Sequence, residues 1–450
     1  MITVIGGGPA GRLAALRLAG FGREVRLIDS RPEGLGGQCL HHGCMVINAH
    51  NDAAKTIDAA RTLAALGILD DIPPLAYAAL KAEMEGIQET IAAVIKKETI
   101  EAGVEVIQGH ATVSGRELFI DGERETSSEA LLVATGSRPL IPDIPGITLA
   151  GVYTAHTLQR LRHLPAHLVI IGGGVVACEY AYAFAAYGTA VTMVVRSELL
   201  RSFYPHLRVE VKKDLNAVTI LEQTAPLSIE GEDTVAGVRI RTGAGGEDTI
   251  PCDAVLIATG LMPRTEDVSG IALGPAGEIL VNDRYGTSVK GVFAAGDVTG
   301  PPYLTPIARR EGRAAADAIL GRKPPAVPAA VPQAIKLKNE HSFAFLPGRS
   351  DDPLVIPSPA GPGSFWEVPS RRTGRAVVET DRMNGRLTGF YEASPTSSTA
   401  AGYLAWCIRE GVTVEALESF LEVHPSSEGV PWLIRYISEL REKEEKNYLF

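Results

Sequence analysis

Twice along the chain a short apolar run leads into a glycine cluster, then an alanine-rich stretch, then a second apolar run. The first occurrence is residues 2–29, ITVIGGGPAGRLAALRLAGFGREVRLID. The second starts at Leu168, LVIIGGGVVACEYAYAFAAYGTAVTMVVRS. Each reads as strand, glycine turn, helix, strand. Between them, residues 50–101 are rich in alanine with charges to one side, the spacing of helices, interrupted by Pro73 and Pro74. Residues 104–125, which include GHATV, read as β-structure. The apolar run LLVATG at 131–136 recurs as VLIATG at 255–260, so the internal repeat extends beyond the glycine turns. Further on, TSVKGVFAAGDVTG (287–300) predicts a small-residue strand and LTPIARREGRAAADAIL a helix. Pro324 to Pro332 form a stiff linker. Past it the character changes, with a Pro/Gly-rich patch at 353–369, strands near 375–391, amphipathic helices from Thr399, the sequence EVHPSSEG and a closing charged helix.

The glycine spacing carries chemistry. Gly6 permits a tight turn, Gly8 lets a pyrophosphate approach the backbone, and Gly11 lets the helix pack on its strand, with the helix N-terminus facing the phosphates. Asp29, at the end of the second strand, is placed to accept hydrogen bonds from a ribose hydroxyl. Gly136, after Thr135, lets the chain pass close to a ligand, and Asp297 follows a small-residue strand where its carboxylate can hold a sugar-alcohol chain. In the second unit Gly172 matches Gly6, Gly174 matches Gly8, Ala177 matches Gly11 and Gly188 matches Gly22. Two nucleotide sites follow. The second unit ends its strand in Val195 and Arg196 rather than an acid, and Arg201 follows. Guanidinium groups bind a 2′-phosphate where a carboxylate would repel it, which favours NADPH over NADH; the plain alternative is that both arginines are solvated surface charges.

Composition narrows the class. The 450 residues, 45% hydrophobic, can bury several cores. A formal charge of −10 and a pI near 5.6 oppose a nucleic-acid partner. No apolar run is long enough to span a bilayer, and no charged leader precedes the first strand, which together point to a cytoplasmic protein. Of five cysteines, Cys178, Cys252 and Cys407 are scattered and read as packed thiols.

Cys39 and Cys44 alone form a pattern, GGQCLHHGCMVIN, on a turn entering a helix. At that spacing two sulfurs can come within bonding distance, and a helix N-terminus stabilises a thiolate, so the pair reads as a reversible dithiol/disulfide. Two unrelated buried thiols, or a metal pair completed by His41 and His42, are the alternatives; no second ligand cluster appears in the sequence.

Taken together, G-G-x-C-x-x-x-x-C at Gly36–Cys44, both glycine fingerprints, the A-T-G strands, Gly296–Asp297 and the late His424–Pro425 resemble the FAD-dependent pyridine nucleotide-disulfide oxidoreductases, the family of glutathione reductase, lipoamide dehydrogenase and mercuric reductase. The resemblance implies an α/β fold of two Rossmann-like dinucleotide-binding domains plus a C-terminal α+β dimerisation domain. It divides the chain into an FAD-binding part at 1–145, an NAD(P)H-binding domain at 146–262, a second FAD-binding part at 263–328 and an interface domain at 329–450. It adds Pro9, Ala10, Gly37, Ala111, Thr305 and Gly260 to the cofactor-binding residues and implies a homodimer.

Within that scheme NADPH reduces the flavin, which reduces the Cys39–Cys44 pair. Cys44 is the thiolate beside the flavin, Cys39 attacks a small disulfide, and His424 of one subunit, oriented by Glu428, moves the proton for the other. Four departures stand out. The usual lysine four residues after the second cysteine is Asn48, leaving Glu179 without its ion-pair partner; an aromatic gate is Val175; Glu428 follows His424 by four residues rather than five; and the domain after 330 has its own Pro/Gly-rich region. No terminal cysteine pair is present, which weakens a mercuric or large thioredoxin reductase, and Arg196 weakens lipoamide dehydrogenase. The sequence therefore predicts an NADPH-dependent reductase of a small disulfide. The alternatives are a flavin-dependent reductase or oxidase of a metal ion, quinone or oxygen, and a redox-sensing flavoprotein subunit.

Overall fold

The computed structural model describes residues 1–72, 74–126, 128–347, 368–369, 375–381 and 383–421. Its framework is two parallel five-stranded sheets of the same design. In the first, the strand order is Val292–Ala294, Ala130–Val133, Ile2–Ile5, Val25–Asp29 and Val104–Gln108. Ile2–Ile5 and Ala130–Val133 are buried at every position, which is why they read as unbroken apolar runs rather than alternating ones. In the second, the order is Thr219–Leu221, Ala190–Val194, His167–Ile171, Ala254–Ile257 and Val152–Thr154, again parallel throughout.

Helix α1 (Pro9–Gly20) follows the first glycine turn; Pro9 opens it, where its missing N–H is no loss. Helix α2 (Gly37–His41) is a short turn, and helix α3 (Cys44–Ala65) starts at the second cysteine. Helix α3 thus begins at the cysteine turn, where the sequence predicts entry into a helix, and continues through the alanine-rich segment read from residue 50. Helix α4 (Tyr77–Glu101) resumes after the proline break. Helix α5 (Val175–Tyr187) is the second unit's counterpart of α1 and ends on Gly188, at φ +98°. It is buried almost all round because α3, the second sheet and the strand Gln333–Lys336 enclose it. Helix α6 (Pro205–Asp214) completes that unit, and an antiparallel ribbon spanning 225–251 is inserted into it.

Helix α7 (Thr305–Ile319) returns to the first unit and packs on α1. Gly312 makes this contact possible, since a Cβ there would lie 2.0 Å from the carbonyl oxygen of Ala10. Residues 322–328 are in neither helix nor strand, as the proline run predicts. The last described layer is an antiparallel sheet, ordered Gln333–Lys336, Glu340–Phe345, Leu387–Ser394 and Arg375–Thr380, backed by helix α8 (Ser397–Glu410). This is the α/β architecture with a separate C-terminal α+β layer that the sequence predicts.

One core joins α5 and α6 to this last sheet through Tyr180, Phe184, Leu207, Ile335, Phe343 and Tyr391. A buried polar link crosses the same boundary: His341 donates to Asp214 at 2.8 Å, and the backbone N–H of Asn339 donates to the same carboxylate at 2.9 Å. Among the described residues no helix is long and apolar enough to cross a membrane, and no cluster of three metal-ligating side chains occurs.

Candidate functional site

A cleft of about 1640 Å³ runs from the first glycine turn, past both cysteines, to the second glycine turn and the edge of the C-terminal sheet. Its first section is built by backbone. Gly37 sits at φ +63° with the space where a Cβ would be only 2.7 Å from Gly8 Cα, so any side chain would close the passage between the two loops. Gly8, Pro9 and Ala10 line it at the start of α1, whose first N–H groups lack helical partners. Thr135, Gly136, Asp297 and Thr305 line it from the other strand ends. A phosphate-accepting helix start, a side-chain-free passage and a carboxylate at the far end fit the pyrophosphate and sugar-alcohol chain of FAD.

Five predicted residues do not line this cleft. Gly6 and Gly11 act inside the turn: a Cβ on Gly6 would meet Ala134 O at 2.2 Å, and one on Gly11 would meet Gly6 O at 1.9 Å. Asp29 lies just behind, accepting from the N–H groups of Gly7 at 2.5 Å and Arg31 at 2.8 Å. Ala177 is fully buried against the second sheet, and Ala111 belongs to the edge strand Ala111–Ser114.

The cysteines sit midway. Cys44 opens α3, with the Thr305 hydroxyl 3.5 Å from its Sγ and the Cys39 thiol hydrogen-bonded to it. The Cys39 hydrogen bond is the largest influence, outweighing burial, and with Thr305 and the backbone N–H it brings the Cys44 thiol down to about 6. Cys39 moves the opposite way, held protonated by the Cys44 sulfur and by burial. The two thiols thus share one proton unequally, with the negative charge on Cys44.

Beyond Cys44 lies Glu179, buried at the wall of the cleft and pushed up to about 7, chiefly by burial. It accepts one hydrogen bond, from the backbone N–H of Lys336 at 3.0 Å. Asn48, in the position of the family lysine, lines the cleft and donates to Asp52 at 3.2 Å. In the second section Gly172, Gly174, Gly260, Arg196 and Arg201 line the cleft, and both arginines are exposed. His424 and Glu428 lie outside the described residues.

Sequence reasoning missed a polar cluster around Gln38. Its amide nitrogen donates to Ser137 at 2.9 Å and to Asp297 at 3.0 Å, and His156 donates to its amide oxygen at 3.0 Å. The His156 ring stacks on His42, with centroids 5.2 Å apart. No local pattern signals this cluster, since the partners of Gln38 are 99, 118 and 259 residues away.

Two dinucleotide-binding sheets facing one cleft, with a helix-capped thiol pair between them, define a pyridine-nucleotide flavoprotein of the disulfide-oxidoreductase class. Residues 1–312 match the pyridine nucleotide-disulphide oxidoreductase family, and the chain belongs to it. It is accordingly an FAD-dependent NAD(P)H-disulfide oxidoreductase. Dihydrolipoyl dehydrogenase of Geobacillus stearothermophilus is 28% identical, covering 94% of this chain and 93% of its own. Glutathione reductase of a Nostoc species is 27% identical, covering 95% and 97%. Among solved structures, the HOCl-induced flavoprotein disulfide reductase RclA of Escherichia coli shares the fold, with a TM-score of 0.82 at 24% identity over 95% of this chain and 97% of its own.

Proposed function

We propose that the protein is an NADPH-dependent reductase of a small disulfide, working through the Cys39–Cys44 pair. The observation that carries this reading is the hydrogen-bonded placement of two thiols in the cleft, Cys39 in α2 and Cys44 opening α3 with the Thr305 hydroxyl 3.5 Å from its sulfur. FAD, when bound, relays two electrons from the nicotinamide to the pair. The chain's own residues then divide the work. Cys44 keeps its negative charge against the α3 N-terminus and the Thr305 hydroxyl. Cys39 needs a base before it can attack, because both the Cys44 sulfur and burial hold its proton in place. His424, oriented by Glu428 across a homodimer, supplies that base.

Attack by the Cys39 sulfur on the substrate forms a mixed disulfide and expels one thiolate, which takes the proton from the imidazole. The Cys44 thiolate then attacks the Cys39 sulfur, closing the Cys39–Cys44 bond and expelling the second thiolate, which takes its proton from solvent. Two electrons and two protons are consumed per disulfide cleaved. Arg196 and Arg201 at the second nucleotide section support NADPH as the donor.

Anaerobic titration with NADPH, followed in the visible flavin spectrum, tests this reading. A long-wavelength band at two electrons that is absent in Cys44→Ala supports a thiolate in contact with the flavin. Direct bleaching without the band overturns it and redirects attention to quinones, metal ions and oxygen as acceptors.

A further inference from the structure

The first section of the cleft contains a group of cationic and imidazole side chains that the disulfide chemistry does not use. His42 and His156 are stacked at 5.2 Å and both line the cleft, together with Arg31, Gln38 and the Gly8–Pro9 helix start. His156 is anchored by its Nε2–H to Gln38, and His42 Nδ1 is enclosed with no hydrogen-bond partner among the described residues. The guanidinium of Arg264 reaches the same group, and its Nε is likewise enclosed and unpartnered.

The charges around the stack are predominantly positive. Arg31, His41 and Arg264 face His42, opposed by Glu33; His42, Arg264 and Arg31 face His156. Arg31 and Arg264 also repel each other, relieved by Glu266 and Asp29, the second of which is already occupied by two backbone N–H groups. Burial and this positive surrounding bring both imidazoles down to about 4. The stack reaches the helix start through Gln38, which holds His156 and follows Gly37, whose Cβ position lies 2.7 Å from Gly8 Cα. An enclosed imidazole nitrogen and a guanidinium N–H without partners among the described residues, crowded cations and that open helix start call for a polyanion with several oxygens.

We propose that His42 and His156 clamp the pyrophosphate of FAD, and that cofactor binding is coupled to uptake of a proton by this pair. The dianion reverses the local field, so an imidazole that is neutral in the free chain becomes a charged donor in the complex, taking its proton from solvent. The sign follows: a step that takes up a proton is favoured as pH falls, so FAD is held more tightly in acid and less tightly in alkali, above the free value of the pair. The inference rests on FAD binding, which the family establishes, and is independent of the thiol step.

The oxidised holoenzyme is the material for the test. The phosphorus resonances of bound FAD, followed by NMR between about pH 5 and pH 9, are expected to titrate in the wild type and to lose that inflection in His42→Gln and His156→Gln. Release of FAD on dilution, read as the rise in flavin fluorescence, is expected to quicken about tenfold for each unit by which the pair's value rises on binding, until the bound value is passed. Both variants should release FAD faster and with little pH dependence. Phosphorus shifts and release rates that are independent of pH in the wild type overturn the proposal, even if neither variant folds. Variants that release FAD at the wild-type rate overturn it too. The flavin band at two electrons reports separately on the cysteine pair, so failure of one reading is distinguishable from failure of the other.

Discussion

The backbone N–H of Lys336 donates to the Glu179 carboxyl at 3.0 Å, so a strand of the C-terminal sheet caps an acid on the helix of the second nucleotide unit. The Lys336 ammonium itself goes to Glu340, 3.6 Å away. Asn48 cannot supply a positive charge from α3. Among the described residues the carboxyl is held by one neutral donor in a buried site at the cleft wall, and desolvation dominates.

This makes a prediction about stability. The folded value of about 7 lies above the ordinary carboxyl value of 4.5, so the fold favours the neutral acid. The stabilising effect of that preference is complete below the unfolded value and is lost as pH rises through about 7. Glu179→Gln, which stays neutral, should match the wild type near pH 4 and exceed it near pH 8 by up to about 3 kcal/mol. Thermal unfolding at the two pH values measures this. A constant difference between the proteins across that range would mean that Glu179 is already ionised.

The thiol pair makes a second. The Cys39 thiol is the strongest of the groups that bring Cys44 down to about 6. In reduced Cys39→Ala that hydrogen bond is gone, and the Cys44 thiolate should form only at higher pH, toward the ordinary cysteine range. Thr305→Val removes a weaker contact and should move it by less. Thiolate absorbance in the ultraviolet, titrated in each variant, gives the order. Equal effects from both substitutions would show that the helix N-terminus, common to all, sets the value.

Much of this was legible in the sequence, for a physical reason. The strand–turn–helix units are contiguous, their glycines are required by backbone contacts such as Gly11 on Gly6 O, and the cysteine pair lies in one turn. What escaped the sequence depends on contacts across the fold. The missing lysine at position 48 was visible, but its replacement by the Lys336 backbone, 157 residues from Glu179, was not. His42 was weighed only as a metal ligand because its stacking partner, His156, belongs to a loop of no distinctive composition.

Two glycines give a stability prediction with an internal control. A methyl group at Gly312 would meet the backbone of Ala10 at 2.0, 2.7 and 2.8 Å, and backbone has little room to yield. Gly312→Ala should push α7 off α1, cost about 3 kcal/mol or more, and loosen FAD by displacing Thr305 from the cleft. Gly402, exposed in the interior of α8, has nothing within 4 Å of the same position. Gly402→Ala should raise stability by about 1 kcal/mol through helix propensity alone. Denaturant unfolding of the two variants, with flavin retention measured on each, separates packing from propensity.

The choice of nicotinamide cofactor is tested at the second section of the cleft. Arg196 and Arg201 flank the end of the strand Ala190–Val194, line the cleft, and carry no ion pair among the described residues. Glu198, the one carboxylate between them, is drawn away to Arg208. On the proposed NADPH reading these two exposed guanidinium groups, their acid neutralised elsewhere, receive the 2′-phosphate, and a bidentate charge-assisted contact is worth about 1.5–3 kcal/mol. Arg196→Ala or Arg201→Ala should therefore raise KM for NADPH roughly tenfold to a hundredfold while leaving KM for NADH nearly unchanged. Added salt should weaken NADPH in the wild type more than in either variant, because the lost interaction is between exposed charges. Parallel losses with both nucleotides would instead assign the arginines to the shared pyrophosphate and remove the structural reason for preferring NADPH.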